Sequence, residues 1–100
     1  MTFREKRQHV SAQREVHITN KLGLHARPAA QFVKRARSFR SEIWLVKEGK
    51  RYSAASLIDT LRANLDCGAS AILEAHGVDA EEALEDLEKL LAEFRKNEND

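Results

Sequence analysis

The stretch Gly23-Leu24-His25-Ala26-Arg27-Pro28-Ala29-Ala30 carries more chemistry than any other part of this 100-residue chain. It places a histidine where a loop gives way to a helix, because Pro28 is tolerated in a first helical turn, where its missing N–H has no intrahelical partner to lose. The first backbone N–H groups of a helix lack internal acceptors, and the aligned peptide dipoles add positive character, so this junction favours an anion. Neutral imidazole is nucleophilic near physiological pH, and a phosphoryl group on its nitrogen is labile enough to be handed on. Donors at Ala26 and Arg27 would meet the phosphoryl oxygens, and the Arg27 guanidinium adds a bidentate, charge-assisted clamp. Gly23 gives the loop room to expose the ring. What remains for the protein is positioning and charge stabilisation, the usual protein share of phosphoryl transfer. No Gly-rich loop followed by Lys and Ser/Thr is present, so the pattern offers no means of drawing phosphate from ATP.

The elements that must hold this histidine are legible from periodicity. Residues 1–14 show neither helical nor alternating order and are read as a flexible or loosely docked N-terminal arm, followed by a domain over residues 15–96 and a tail over 97–100. From Glu15, alternation of Val16 and Ile18 predicts a strand, then a loop at Asn20 to Leu24. Ala29, Phe32, Val33, Ala36 and Phe39 recur at helical spacing, with Lys34, Arg35 and Arg37 opposite them. Ile43 and Leu45, a turn at Glu48-Gly49, then Tyr52 and Ala54 predict a hairpin. Ser56 with Asp59 resembles a capping arrangement ahead of a short helix containing Leu57, Ile58, Leu61 and Leu65. Ala71, Leu73 and Ala75 mark a last strand over Ala69 to His76. A long helix then carries the stripe Ala80, Ala83, Leu84, Leu87, Leu90, Leu91 and Phe94, with Asp79 and Glu82 as its capping pair. The order β-α-β-β-α-β-α predicts an α+β fold, a two-layer sandwich closing one core.

Size and composition narrow the function classes. One hundred residues with 42% apolar content bury one core, not two, which excludes a multidomain enzyme. The single cysteine, Cys67, supports no disulfide framework, and no Cys/His spacing builds a zinc site, so no metal and no cofactor are expected. The absence of a signal-like or membrane-length apolar run predicts a cytoplasmic protein with no membrane insertion. Residues 1–51 hold 13 Lys/Arg against 4 Asp/Glu, a balance of +9, while residues 52–100 hold 4 against 12, a balance of −8. The basic half suits an acidic partner surface. A nucleic-acid-binding domain fits poorly, given the near-neutral total, an acidic last helix and no aromatic base-stacking motif.

At Gly-Leu-His-Ala-Arg-Pro-Ala the chain resembles the HPr family, the histidine phosphocarriers of the phosphoenolpyruvate-dependent phosphotransferase system, over roughly Glu15 to Phe94. The resemblance implies an open-faced sandwich, a four-stranded antiparallel sheet with three helices on one face. It implies that His25 is phosphorylated through Nδ1, that Arg27 partners the phosphate, that enzyme I is the donor and that enzyme IIA-type domains are acceptors in sugar uptake or its regulation. It implies a stoichiometric carrier rather than an independent catalyst, and a monomer. Ser56 stands where some members carry a serine modified by HPr kinase/phosphorylase, and Leu57, Ile58 and Leu61 match the partner-binding patch. Asp59 replaces a usual glycine, and Asn20-Lys21-Leu22-Gly23 looks more like the nitrogen-related branch, whose role is regulatory.

Plainer readings stand beside several of these. Ser56 serves equally as an N-cap, and Leu57, Ile58 and Leu61 equally as core. His9, His17 and His76 read as solvated side chains, and Cys67 as a buried or inert thiol. Trp44, Val46 and Ile72 should face away from the helices, a patch suited to a partner or to Phe3 and Val10 of the arm. A regulatory binding module, switched by phosphorylation at His25 or Ser56 without a transport role, is the alternative of a different class.

Overall fold

The computed structural model describes residues 10–97. The elements are β1 (Val10–His17), α1 (Ala26–Arg37), β2 (Glu42–Lys47), β3 (Lys50–Ser53), α2 (Leu57–Arg62), β4 (Ser70–Gly77) and α3 (Ala80–Asn97). The strands form one antiparallel sheet in the order β1-β4-β2-β3. The helices cover one face, so the fold is the expected open-faced α+β sandwich.

Alternation decides what each strand buries. In β4, Ala71, Leu73 and Ala75 point into the core, where Leu73 lies opposite Leu45 of β2 and Ala71 opposite Val16 of β1. Phe32 of α1 and Leu84 and Leu87 of α3 close over them, fully buried. The β2–β3 hairpin turns at Glu48 and Gly49, both at positive φ (52° and 82°), as a two-residue primed turn requires.

Residues 10–14, expected in the N-terminal arm, are strand instead. β1 begins at Val10, so residues 10–14 belong to the sheet, paired with Leu73 to Gly77 of β4. The alternation Val10, Ala12, Arg14, Val16 is complete in space, but a charged residue breaks it in the sequence. Arg14 reaches Glu88 of α3 at 2.9 Å and Glu81 at 3.4 Å, so an inward-side arginine is satisfied by helix acids. Those two carboxylates, chiefly Glu88 through its hydrogen bond, hold the Arg14 guanidinium above its ordinary pKa. Val10 packs on the core rather than on the outer face. Phe3, with the rest of residues 1–9, and residues 98–100 of the tail lie outside the described residues.

On the open face, Arg51 of β3 stacks over the Trp44 ring at 4.2 Å and pairs with Glu74 of β4 at 3.3 Å, so part of the expected apolar patch is roofed by a side chain of the sheet itself. Ile72 stays exposed beside it. At the other face, the Asp79 carboxylate is engaged by the α1–β2 connection, accepting from the N–H groups of Arg40 and Ser41, both at 2.9 Å, and from the Ser41 hydroxyl at 2.6 Å. Its side chain therefore ties α3 to β2 rather than serving only as half of a pair with Glu82. Burial alone would push this carboxyl up, but the Ser41 hydroxyl and the backbone donors of Arg40, Ser41 and Asp79 itself outweigh it and hold the group below the ordinary carboxylate range.

Candidate functional site

The loop between β1 and α1 is fixed from both sides. Leu24 is buried and its N–H donates to the Leu65 carbonyl at 2.8 Å, while the Gly68 N–H donates to Ile18 at 2.7 Å. Gly23 has φ +67°, and a Cβ there would lie 2.6 Å from the Leu65 carbonyl oxygen and 2.7 Å from the Asp66 Cα. Glycine is thus required twice, for its backbone conformation and for close approach. Beneath it, Asn20 is 3% exposed. Its side-chain amide donates to the Gly23 carbonyl at 2.6 Å and its backbone carbonyl accepts from the Gly23 N–H at 3.1 Å. The sequence placed Asn20 only at the start of the loop and in the Asn20-Lys21-Leu22-Gly23 stretch likened to the nitrogen-related branch, and the signal for this contact was an Asn three residues before a glycine, a turn-forming pattern.

This loop delivers His25 to the N-cap of α1, with extended backbone (φ −82°, ψ −169°) and its carbonyl accepting from Ala29 at 2.8 Å. The imidazole is exposed and makes no capping hydrogen bond. With Pro28 third in the helix, the N–H groups of Ala26 and Arg27 lie ahead of the first intrahelical bond, and the first turn contains no acidic residue. The positive end of the helix is therefore uncompensated beside the ring. Arg27 is exposed on the same turn. His25 and Arg27 share a shallow hollow of about 260 Å³ with Asn20, Leu22, Pro28, Gln31 and Phe94. That is below the roughly 300 Å³ at which small-molecule pockets begin. The geometry can stabilise negative charge on His25, but it does not enclose a small substrate.

Ser56 is the N-cap of α2 and accepts from the Asp59 N–H at 3.1 Å, so its capping role holds in space. Leu57 and Leu61 are each 38% exposed and Ile58 69%, which removes the reading of these three as core. Leu57 lines a groove with Ala30, Val33, Lys34 and Arg37 of α1, a basic-rimmed apolar surface between the two helices. The Arg37 Nε donates to the Ala55 carbonyl at 2.8 Å, and Lys47 Nζ donates to the carbonyls of Ala63 and Asn64 at 3.0 and 2.6 Å, anchoring α2 at both ends.

The remaining candidates lie elsewhere. His17 is exposed with Nδ1 2.8 Å from the Ser70 hydroxyl. His76 is half-buried between Ser11 and Glu74 rather than solvated. His9 falls outside the described residues. Cys67 is exposed, not buried, on the loop that packs against Gly23. Among the described residues no three His, Cys, Asp or Glu side chains are grouped to hold a metal ion, and no helix is long and apolar enough to cross a membrane.

Comparison with known proteins gives the same answer by sequence and by shape. A family model described as "PTS-HPr: PTS HPr component phosphorylation site" matches residues 12–93. A phosphocarrier protein HPr of Buchnera aphidicola is 41% identical over 83 residues, covering 83% of this chain and 98% of that protein. HPr of Vibrio cholerae is 42% identical over 79% of this chain and 93% of that one. The HPr-like protein Crh of Bacillus subtilis is 41% identical over 75% of this chain and 88% of its own. Among solved structures, HPr of Bacillus anthracis superposes with a TM-score of 0.78 at 37% identity, covering 81% of this chain and 96% of that chain. Crh, the B. subtilis catabolite repression protein, whose crystal structure is a domain-swapped dimer, gives 0.67 at 38% identity, covering 83% and 95%.

Proposed function

The chain belongs to the PTS-HPr family of phosphotransferase-system phosphocarriers, and from that premise we propose that it accepts a phosphoryl group from phosphorylated enzyme I on Nδ1 of His25 and passes it to an enzyme IIA-type domain. The observation that carries the proposal is the exposed, uncapped His25 at the start of α1, beside Arg27, over a hollow too small to enclose a substrate. Such a nucleophile must meet its phosphoryl group on another protein's surface. In the first transfer the bond from phosphorus to the donor breaks as the bond to Nδ1 forms; in the second, the Nδ1–phosphorus bond breaks toward the acceptor. The amides of Ala26 and Arg27 and the Arg27 guanidinium face the charge on the oxygens in both directions. Leu57, Ile58 and Leu61, with the basic rim of α1, form the docking surface. The carrier works in the cytoplasm as a monomer, with no metal, cofactor or nucleic acid, and turns over only with its partners.

Intact-mass analysis with phosphoenolpyruvate and a cognate bacterial enzyme I tests this. One acid-labile adduct is expected on the wild type and none on His25→Ala, while Arg27→Ala forms it more slowly. A labile adduct retained by His25→Ala would refute the site. A second reading, a regulatory carrier, is favoured by the likeness to Crh. It predicts an acid-stable adduct at Ser56 with ATP and HPr kinase/phosphorylase, and phosphorylation-dependent complexes without onward transfer.

A further inference from the structure

We propose that Asn20 is a positioning residue for the phosphoryl-accepting histidine, setting the place of His25 through the Gly23 backbone; this rests on the carrier reading above. Asn20 is a nearly fully buried amide in a loop, five residues before the reacting ring. Because the Gly23 carbonyl can only accept, the side-chain NH2 must face it, at 2.6 Å. The same residue's backbone carbonyl holds the Gly23 N–H, so both polar groups of Gly23 are bound by one residue. Gly23 in turn rests against the Leu65–Asp66 backbone, and the next residue, Leu24, is tied to Leu65 by its N–H.

His25 follows directly, and its side chain makes no capping bond that could hold it in place. Its position relative to the Ala26 and Arg27 donors is therefore inherited from the peptide before it. Reaction rates fall steeply when a reacting atom is displaced by fractions of an ångström, whereas docking on a broad surface does not. Loss of the Asn20 donor should accordingly lower the rate of transfer and leave partner affinity almost unchanged. Asn20→Asp tests this, since it keeps the shape but sets an acceptor against the Gly23 carbonyl.

The experiment measures phosphoryl transfer from phosphorylated enzyme I to Asn20→Asp and to Val16→Ala, a core variant that lowers stability without touching the loop, both well below their unfolding temperatures. The kcat of Asn20→Asp should fall by about tenfold or more with KM within about twofold, while Val16→Ala keeps both. The His25 ring signals in a ¹H–¹⁵N NMR spectrum should shift or split in the Asn20 variant only. If Asn20→Asp does not fold, Asn20→Ser, which retains a shorter donor, carries the same comparison. An unchanged kcat, or a loss shared with Val16→Ala, overturns the positioning role while the adduct on wild type keeps the carrier reading. No adduct on wild type overturns both.

Discussion

His25 occupies a position that helices normally give to Ser, Thr, Asp or Asn, and it does not act as they do. The ring leaves the first-turn amides to another acceptor, and the helix forgoes the stability a cap would contribute. This exchange makes a prediction at the level of one side chain. His25→Asp should stabilise the protein by about 1 kcal/mol, because a carboxylate there both accepts from the first turn and complements the dipole, while phosphoryl acceptance is lost. Urea unfolding paired with the mass assay checks both halves. A destabilised variant would mean that the imidazole already supports the fold. Arg27 is the second residue of the same helix and is exposed, which suits the proposed clamp, since it must admit the phosphoryl group and release it.

Among the described elements, α2 carries three exposed apolar residues on a helix of only six. Leu57, Ile58 and Leu61 face outward although the helix is anchored by Ser56 at its start and by Lys47 at its end. Ile58→Asp should therefore change unfolding free energy by less than about 0.5 kcal/mol yet raise KM for transfer severalfold; a large loss of stability would return the patch to the core. The junction of β2 and α3 makes a different prediction. Because Asp79 is held below the ordinary carboxylate range in the folded chain, its contribution is complete above the unfolded value and is lost as pH falls through the folded one. Asp79→Asn should be less stable than wild type at neutral pH, with the gap narrowing below about pH 4. Urea titrations from pH 7 downward measure that gap, and a gap constant with pH would show that the charge of Asp79 does not matter.

Across the whole molecule, the two charge-biased halves of the sequence meet. Arg35 of α1 pairs with Asp86 of α3 at 2.8 Å, and Arg14 of β1 reaches Glu81 and Glu88. These exposed pairs add little stability individually. They do neutralise part of the basic half against the acidic helix, leaving Arg27, Lys34 and Arg37 on the side of α1 that carries His25 and borders α2. An acidic partner is attracted over distances comparable to the Debye length, so the association rate with enzyme I should fall severalfold between about 0.01 and 0.15 M salt, with a smaller change in dissociation. Stopped-flow mixing at several salt concentrations decides it, and a salt-independent rate would indicate docking by the apolar patch alone.

By itself the sequence determined the order of elements, the inward residues of most strands and helices, and the family, and it singled out His25 with its Arg27 neighbour as the residues proposed to react. These features depend on spacing within a few residues, on period 2 or 3.6, or on the chemistry of one short motif, all of which are local. Tertiary structure alone decided the start of β1, because Arg14 interrupts the alternation and is satisfied only by acids more than sixty residues away. It also decided that Leu57, Ile58 and Leu61 lie outside the core, since an apolar stripe on a six-residue helix says nothing about which face meets a neighbour. The clamp of Asn20 on Gly23 and the close approach of Gly23 to Leu65 belong with these, because contact between loops far apart in the chain leaves no periodic trace.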